Sequence, residues 1–108
     1  MRNPAAQGRT DSNHTEIVRA YEEMFCSVVE LHKVGFGCPD LMVGCAGRTE
    51  LVEVKTEHGQ LEPSQIRFQN DWRGSKVVIV RTAVDAQNHV LNIREKQATG
   101  KWGTNGKK

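Results

Sequence analysis

Two short apolar segments joined by a tight turn constrain the fold of this chain more than any other feature. The segments are PDLMVGC at residues 39–45 and ELVEVKT at residues 50–56, and the residues between them, AGRT, are typical of a turn. Apolar-rich runs of this length predict strands, and so short a connection predicts that the two strands pair as an antiparallel hairpin. The register of that hairpin then decides which charged side chains share a face.

Three charged side chains reach one face of the hairpin in either of two registers. Glu53 and Lys55 are two residues apart on one strand, so they project from the same side. A two-residue loop at Ala46-Gly47 would pair Asp40 with Glu53, whereas a four-residue loop from Ala46 to Thr49 would pair Asp40 with Lys55. Both registers predict two carboxylates and one ammonium on one face, unless a bulge shifts the parity.

This charged face predicts a metal site, although an ordinary solvated face is the alternative. Adjacent carboxylates repel each other, and Mg²⁺ commonly binds one or two carboxylates together with phosphate oxygens and water. We therefore predict that Asp40 and Glu53 hold Mg²⁺, with Mn²⁺ as a substitute and the Val54 backbone carbonyl as a further ligand. Lys55 would position or activate an attacking water, which suits phosphodiester hydrolysis.

The rest of the chain predicts an α/β domain with a mixed sheet flanked by helices, in the order α-β-β-β-α-β-α. The last segment begins like a capped helix, with Thr82 as the cap and Asp85 three residues later, although HVLNI within it is also compatible with a strand. Besides the hairpin, the predicted elements are a helix from about His14 to Phe25 capped by Ser12 or Asn13, a strand in residues 27–34, a helix from about Glu62 to Arg73, a buried strand from Lys76 to Arg81, and the segment from Thr82 to Lys96.

The hairpin motif resembles a known nuclease signature. Pro39-Asp40, twelve intervening residues and Glu53-Val54-Lys55 look like the PD-(D/E)xK motif. A glycine-containing segment before Pro39, and LEPSQ opening a helix after Gly59, resemble the virus-type replication-repair nuclease (VRR-NUC) domain over about residues 15–94. The resemblance implies a restriction-endonuclease-like core, Mg²⁺-dependent DNA cleavage and, as in small stand-alone members, cleavage of Holliday junctions by a homodimer.

The same resemblance assigns roles by position. It places the metal carboxylates at Asp40 and Glu53, the catalytic lysine at Lys55, the helix glutamine at Gln65, and an acidic residue of the first helix at Glu16. A metal-binding role for Glu16 competes with that of a first-turn charge favoured by the helix dipole.

Gln65 is also singled out by its own surroundings. Leu61, Phe68 and Trp72 share a helical face with it, and Trp72 is expected to pack in the core. A glutamine within an apolar stripe needs hydrogen-bond partners, since burial without them costs about 1–3 kcal/mol. A structural hydrogen bond to the backbone and a role in the active site would both meet that need.

Charge and cysteine content narrow the class of protein only slightly. The net charge of +2 and the pI near 8.5 are compatible with nucleic-acid binding. Three cysteines without paired spacing indicate reduced thiols, with a zinc site that includes His32 as the alternative. The predicted phosphate-contacting residues are Lys33, Arg48, Arg67, Arg73, Lys76 and the C-terminal lysines.

Length predicts one domain of residues 13–96 between a flexible N-terminal tail, 1–12, and a flexible basic C-terminal tail, 97–108, in which Trp102 has no assigned role. So small a core favours a homodimer. No apolar stretch approaches 18 residues and no signal pattern is present, so we expect no membrane span and a cytoplasmic location. The resemblance to small VRR-NUC proteins implies that the cell is bacterial or a phage-infected host.

These observations converge on a structure-selective DNA endonuclease that cleaves four-way junctions as a homodimer. A nuclease acting on flaps, forks or specific duplex sites would use the same residues. A non-catalytic DNA-binding module that keeps the fold is the hypothesis from another functional class.

Overall fold

The computed structural model describes residues 12–100 and shows a mixed α/β arrangement in the predicted order of elements. Its helices are α1 (Ser12–Glu23), α2 (Pro63–Asp71) and α3 (Ala83–Thr99). Its strands are β1 (Ser27–Glu30), β2 (Leu41–Cys45), β3 (Arg48–Val54) and β4 (Val78–Val80). None of the helices in the described part of the chain is long and apolar enough to cross a membrane.

The four strands form one mixed sheet in the order β1-β2-β3-β4, in which β4 alone runs parallel to its neighbour. Cys45 pairs with Arg48, so the β2–β3 hairpin turns on Ala46 and Gly47. Both turn residues have positive φ, 52° and 79°, as a two-residue hairpin loop requires. Of the two predicted registers, the one with the two-residue loop is therefore the one that forms. Extending this pairing beyond Leu41 and Val52 aligns Asp40 with Glu53.

The core lies on one side of the sheet. Alternation along β2 turns Leu41, Val43 and Cys45 inward. Helices α1 and α3 pack against each other over this face and supply Ile17, Tyr21, Val90 and Ile93. Helix α2 contributes no buried residue, so the opposite face of the sheet is covered only lightly.

A chain of polar side chains runs through the rim of this core. The Tyr21 hydroxyl lies 2.7 Å from His89 Nδ1, and His89 Nε2 lies 2.7 Å from Oε1 of Glu50. Residues from α1, α3 and β3 are thus joined by two short hydrogen bonds that leave both imidazole nitrogens with a partner.

The structure corrects several predicted boundaries. Thr82 caps α3 by accepting a hydrogen bond from the Asp85 amide at 3.0 Å, and HVLNI is helical. Helix α3 continues through Thr99, so the first residues of the predicted C-terminal tail belong to it, whereas residues 1–11 and 101–108, with Trp102, lie outside the described residues. The first helix already includes Ser12 and ends at Glu23, and the strand predicted in residues 27–34 ends at Glu30.

The predicted burial of Trp72 is wrong. Its side chain is 45% exposed because α2 lies on the lightly covered face of the sheet. The indole stacks on Phe68 instead, with 5.4 Å between ring centroids. The cysteines are free, as expected, with Cys26 and Cys45 buried.

Candidate active site

The site begins with Asp40, which directly precedes β2. Its carbonyl oxygen accepts a hydrogen bond from the Leu31 amide at 2.7 Å, which extends the pairing of β1 with β2. Its side-chain Oδ2 accepts the Val54 amide at 2.8 Å on the other side. Asp40 is thereby held between two strands, with its carboxylate directed at the end of β3.

Glu53 is the only charged residue among those described that is fully buried, with 2% of its surface exposed. Its Oε2 accepts a hydrogen bond from Nε2 of Gln65 at 2.9 Å. Its Oε1 is buried and, in the ionised form, has no hydrogen-bond partner. A buried carboxylate oxygen without a partner costs about 1–3 kcal/mol or more, so we expect it to take up a proton or a cation.

The electrostatics of Glu53 point the same way. Burial, followed by the charge of Asp40 and a hydrogen bond with it, raises the pKa of Glu53 to about 8. The ammonium of Lys55, with Nζ 3.9 Å from Oε2, acts in the opposite direction but does not outweigh the burial. Glu53 is thus protonated at neutral pH unless a cation replaces the proton between the two carboxylates.

Gln65 connects this carboxylate to the start of α2. Its Oε1 accepts a hydrogen bond from the Glu62 amide at 2.7 Å, while its Nε2 donates to Glu53. The two interpretations of Gln65 are therefore compatible, because one end bonds to the backbone and the other reaches the site. Pro63 at the first helical turn fixes the helix in the place that this bridge needs.

Two further residues support Lys55, and sequence reasoning assigned neither to the site. Arg81 follows the parallel strand β4 beside Lys55, and its Nη1 donates to the carbonyls of Thr56 at 2.7 Å and Gly59 at 2.8 Å. Asn13 was expected to cap the first helix, but its Nδ2 donates to the Lys55 carbonyl at 3.1 Å. The charged end of KVVIVR was the available signal for Arg81, but only the structure shows that this strand runs parallel to β3 and ends beside Lys55.

The side chains present fit a divalent cation with few protein ligands. The partnerless Oε1 of Glu53 and the adjacent Asp40 carboxylate are hard oxygen donors of the type that Mg²⁺ uses. Residues 12–100 contain no group of three or more His, Cys, Asp or Glu side chains arranged for a metal. Glu16 is exposed on α1, and its participation and that of the Val54 carbonyl stay predictions.

The predicted DNA-contacting residues are spread over the surface. Lys33, Arg67, Arg73 and Lys76 are exposed, whereas Arg48 is partly buried with Nη2 3.5 Å from Ser75 Oγ. Arg48 and Lys76 line a cavity of about 650 Å³ between β3, β4 and α3, and Arg67 lines a separate one of about 210 Å³ beside α2. The structure thus groups Asp40, Glu53, Lys55 and Gln65, whereas the predicted cations within residues 12–100 lie at more than one place; the C-terminal lysines lie outside the described residues.

No family model, curated protein or solved structure matches this chain. The support for a function therefore comes from the geometry of the carboxylates and from the resemblance of the motif residues to the PD-(D/E)xK signature.

Proposed function

We propose that this chain is a Mg²⁺-dependent DNA endonuclease of the PD-(D/E)xK kind, with a restriction-endonuclease-like core similar to that of VRR-NUC domains. The observation that carries the proposal is the buried, partnerless Oε1 of Glu53 next to Asp40 and Lys55. Two neighbouring carboxylates beside one ammonium carry a net negative charge in a poorly hydrated position, and a divalent cation would compensate that charge.

Each residue then has a defined task. Asp40 and Glu53 would hold the cation, with the Val54 carbonyl as a further ligand. When bound, Mg²⁺ lowers the pKa of a coordinated water and neutralises charge on the scissile phosphate. Lys55 orients the attacking water and stabilises the negative charge that develops on the phosphate. Gln65 positions Glu53, because its hydrogen bond fixes one carboxylate oxygen and leaves the other open.

The proposed substrate is branched DNA, and the proposed active form is a homodimer. A two-fold dimer presents two equivalent sites to opposing strands, which matches paired nicking of a four-way junction. Flaps, forks and linear duplex DNA would be cleaved by the same chemistry. The substrate therefore needs its own measurement.

The test compares a labelled four-way junction with a linear duplex built from the same arms, in Mg²⁺ and in EDTA. The variants are Lys55→Met, which removes the ammonium, and Glu95→Gln, an exposed carboxylate on α3 as the control. Paired nicks in the junction alone, absent in EDTA and in Lys55→Met but present in Glu95→Gln, are the expected result. Cleavage of the linear duplex would show that the enzyme is not selective for branched DNA. Metal-independent binding without cleavage of any DNA would overturn the catalytic proposal in favour of a binding module.

A further inference from the structure

Three aromatic side chains lie together on the surface next to the candidate site. Phe36 is 92% exposed, and Phe68 and Trp72 are stacked with an interplanar angle of 16°. They border a cavity of about 210 Å³ that is completed by Ser64, Arg67 and Asp71. We call this set the aromatic cavity. Its volume is below the roughly 300–1,000 Å³ typical of pockets for drug-sized ligands, so it suits a single flat ring system.

The backbone holds Phe36 in an exposed position. Its φ is 57°, between Gly35 at 80° and Gly37 at 75°. A Cβ on Gly37 would lie 2.2 Å from the Ser64 carbonyl oxygen, so this loop is pressed against the start of α2. A bulky aromatic residue at positive φ is a conformational outlier, so the loop holds Phe36 in this exposed position at a cost in backbone energy.

Both walls of the aromatic cavity are connected to the proposed metal carboxylates. Phe68 lies one turn of α2 beyond Gln65, whose amide donates to Glu53. The loop that carries Phe36 continues directly into Pro39 and Asp40. A DNA strand bound at Asp40 and Glu53 would therefore have its neighbouring nucleotides close to the aromatic rings.

We propose that the aromatic cavity stacks a base of the cleaved strand that is unpaired, or displaced from its pair at a branch point, next to the scissile phosphate. The inference rests on the proposed function and narrows its substrate class. Aromatic side chains bind bases of any sequence by stacking, and Arg67 supplies a cation for the adjoining phosphate. A second copy of the chain is a poorer fit, since a stable protein interface needs on the order of 800 Å² on each partner rather than one small cavity.

Binding in EDTA tests this without any requirement for cleavage. The probe is 2-aminopurine, whose fluorescence falls on stacking, placed either at an unpaired position of a branched DNA or within a fully paired duplex. Phe36→Ala should weaken binding of the unpaired probe on the order of 10-fold and abolish its quenching, and Phe36→Trp should restore both. The control is Phe25→Ala, because Phe25 is 89% exposed with a φ of 66° but lies outside the cavity.

The possible failures are distinguishable. If wild-type protein cleaves DNA but Phe36→Ala and Phe25→Ala bind the unpaired probe equally, the stacking inference is wrong and the nuclease proposal stands. If no DNA is cleaved while Phe36→Ala alone loses binding of the unpaired probe, the base-stacking site stands and the nuclease proposal is wrong. Equal losses on paired and unpaired DNA, or a dimer that becomes a monomer in Phe36→Ala at the same concentration, would also overturn the inference.

Discussion

Two glutamates on the same strand, Glu53 fully buried and Glu50 partly buried, have opposite surroundings. Glu50 and Glu53 are three residues apart on β3, so their side chains leave opposite faces of the sheet. Glu50 belongs to a closed chain of hydrogen bonds in which His89 links it to the Tyr21 hydroxyl. Glu53 faces Asp40, a second carboxylate, and one of its oxygens has no partner.

The difference shows how to separate a structural carboxylate from a functional one when both are buried. Burial alone does not discriminate between them. A buried carboxylate that is hydrogen-bonded to a neutral or cationic partner stabilises the fold, whereas one that faces a like charge destabilises the free protein and is a candidate for binding a cation. By this criterion Glu50 stabilises the α1–α3–β3 junction, and Glu53 belongs to the proposed active site.

The largest expected effect is the loss of DNA cleavage when Glu53 is replaced. Glu53→Gln keeps the shape and the Gln65 contact but removes the charge, so metal-dependent DNA cleavage should fall on the order of 1,000-fold. In EDTA at pH 8.5 the free energy of unfolding should stay unchanged or rise, because above a pKa of about 8 the wild-type protein buries a charge that glutamine does not carry. Single-turnover cleavage and urea unfolding measure the two quantities; a stable Glu53→Gln protein with wild-type cleavage rates would remove Glu53 from the site.

The second largest effect is expected on protein stability, at the face of the sheet that carries Glu50. His89→Ala leaves the Glu50 carboxylate and the Tyr21 hydroxyl without their shared partner, which should lower the free energy of unfolding by about 2–4 kcal/mol. The folded fraction should keep its cleavage rate. His58→Ala is the control, since His58 is exposed and the change should be within about 0.5 kcal/mol. Loss of cleavage in His89→Ala without loss of stability would mean that the two faces do not have separate roles.

Much of this architecture was predictable from sequence, because local patterns determine it. A short hairpin loop of two or four residues, together with the two-residue spacing of Glu53 and Lys55, predicts that the charges share one face of the sheet. The choice between the two registers, and between helix and strand for HVLNI, needed the structure. The hairpin turn settles the first, and the Thr82 cap together with burial of Val90 and Ile93 settles the second.

The features missed by sequence analysis depend on contacts between distant segments. Asn13 reads as a helix cap, and only the packing of α1 beside β3 brings its amide to the Lys55 carbonyl. Trp72 reads as a core residue because nothing in the helical stripe shows which face of the sheet α2 covers. The partnerless oxygen of Glu53 is likewise a property of the assembled site.

The pH dependence of stability should distinguish the wild-type protein from Glu53→Gln. The pKa of Glu53 is raised in the fold from 4.5 to about 8, so its favourable contribution is complete below pH 4.5 and is lost as the pH rises through about 8. In EDTA, the free energy of unfolding of wild-type protein should therefore fall relative to Glu53→Gln between pH 5 and 8, by on the order of a few kcal/mol. Urea unfolding of both proteins across this range measures the difference. Parallel curves would contradict the assigned burial of charge at Glu53.

The smallest expected effect is stabilisation by metal, which depends on both the metal affinity and the protonation of Glu53. A cation that binds only the folded state at ten times its Kd adds about 1.4 kcal/mol to the free energy of unfolding. Because protons compete for the same carboxylates, Mg²⁺ should raise the Tm more at pH 8.5 than at pH 6. Asp40→Asn should abolish the shift, whereas Glu50→Gln, although less stable, should retain it, since Glu50 lies on the other face. Equal shifts in both variants would place the cation elsewhere, and a shift lost only in Glu50→Gln would reverse the roles given to the two glutamates.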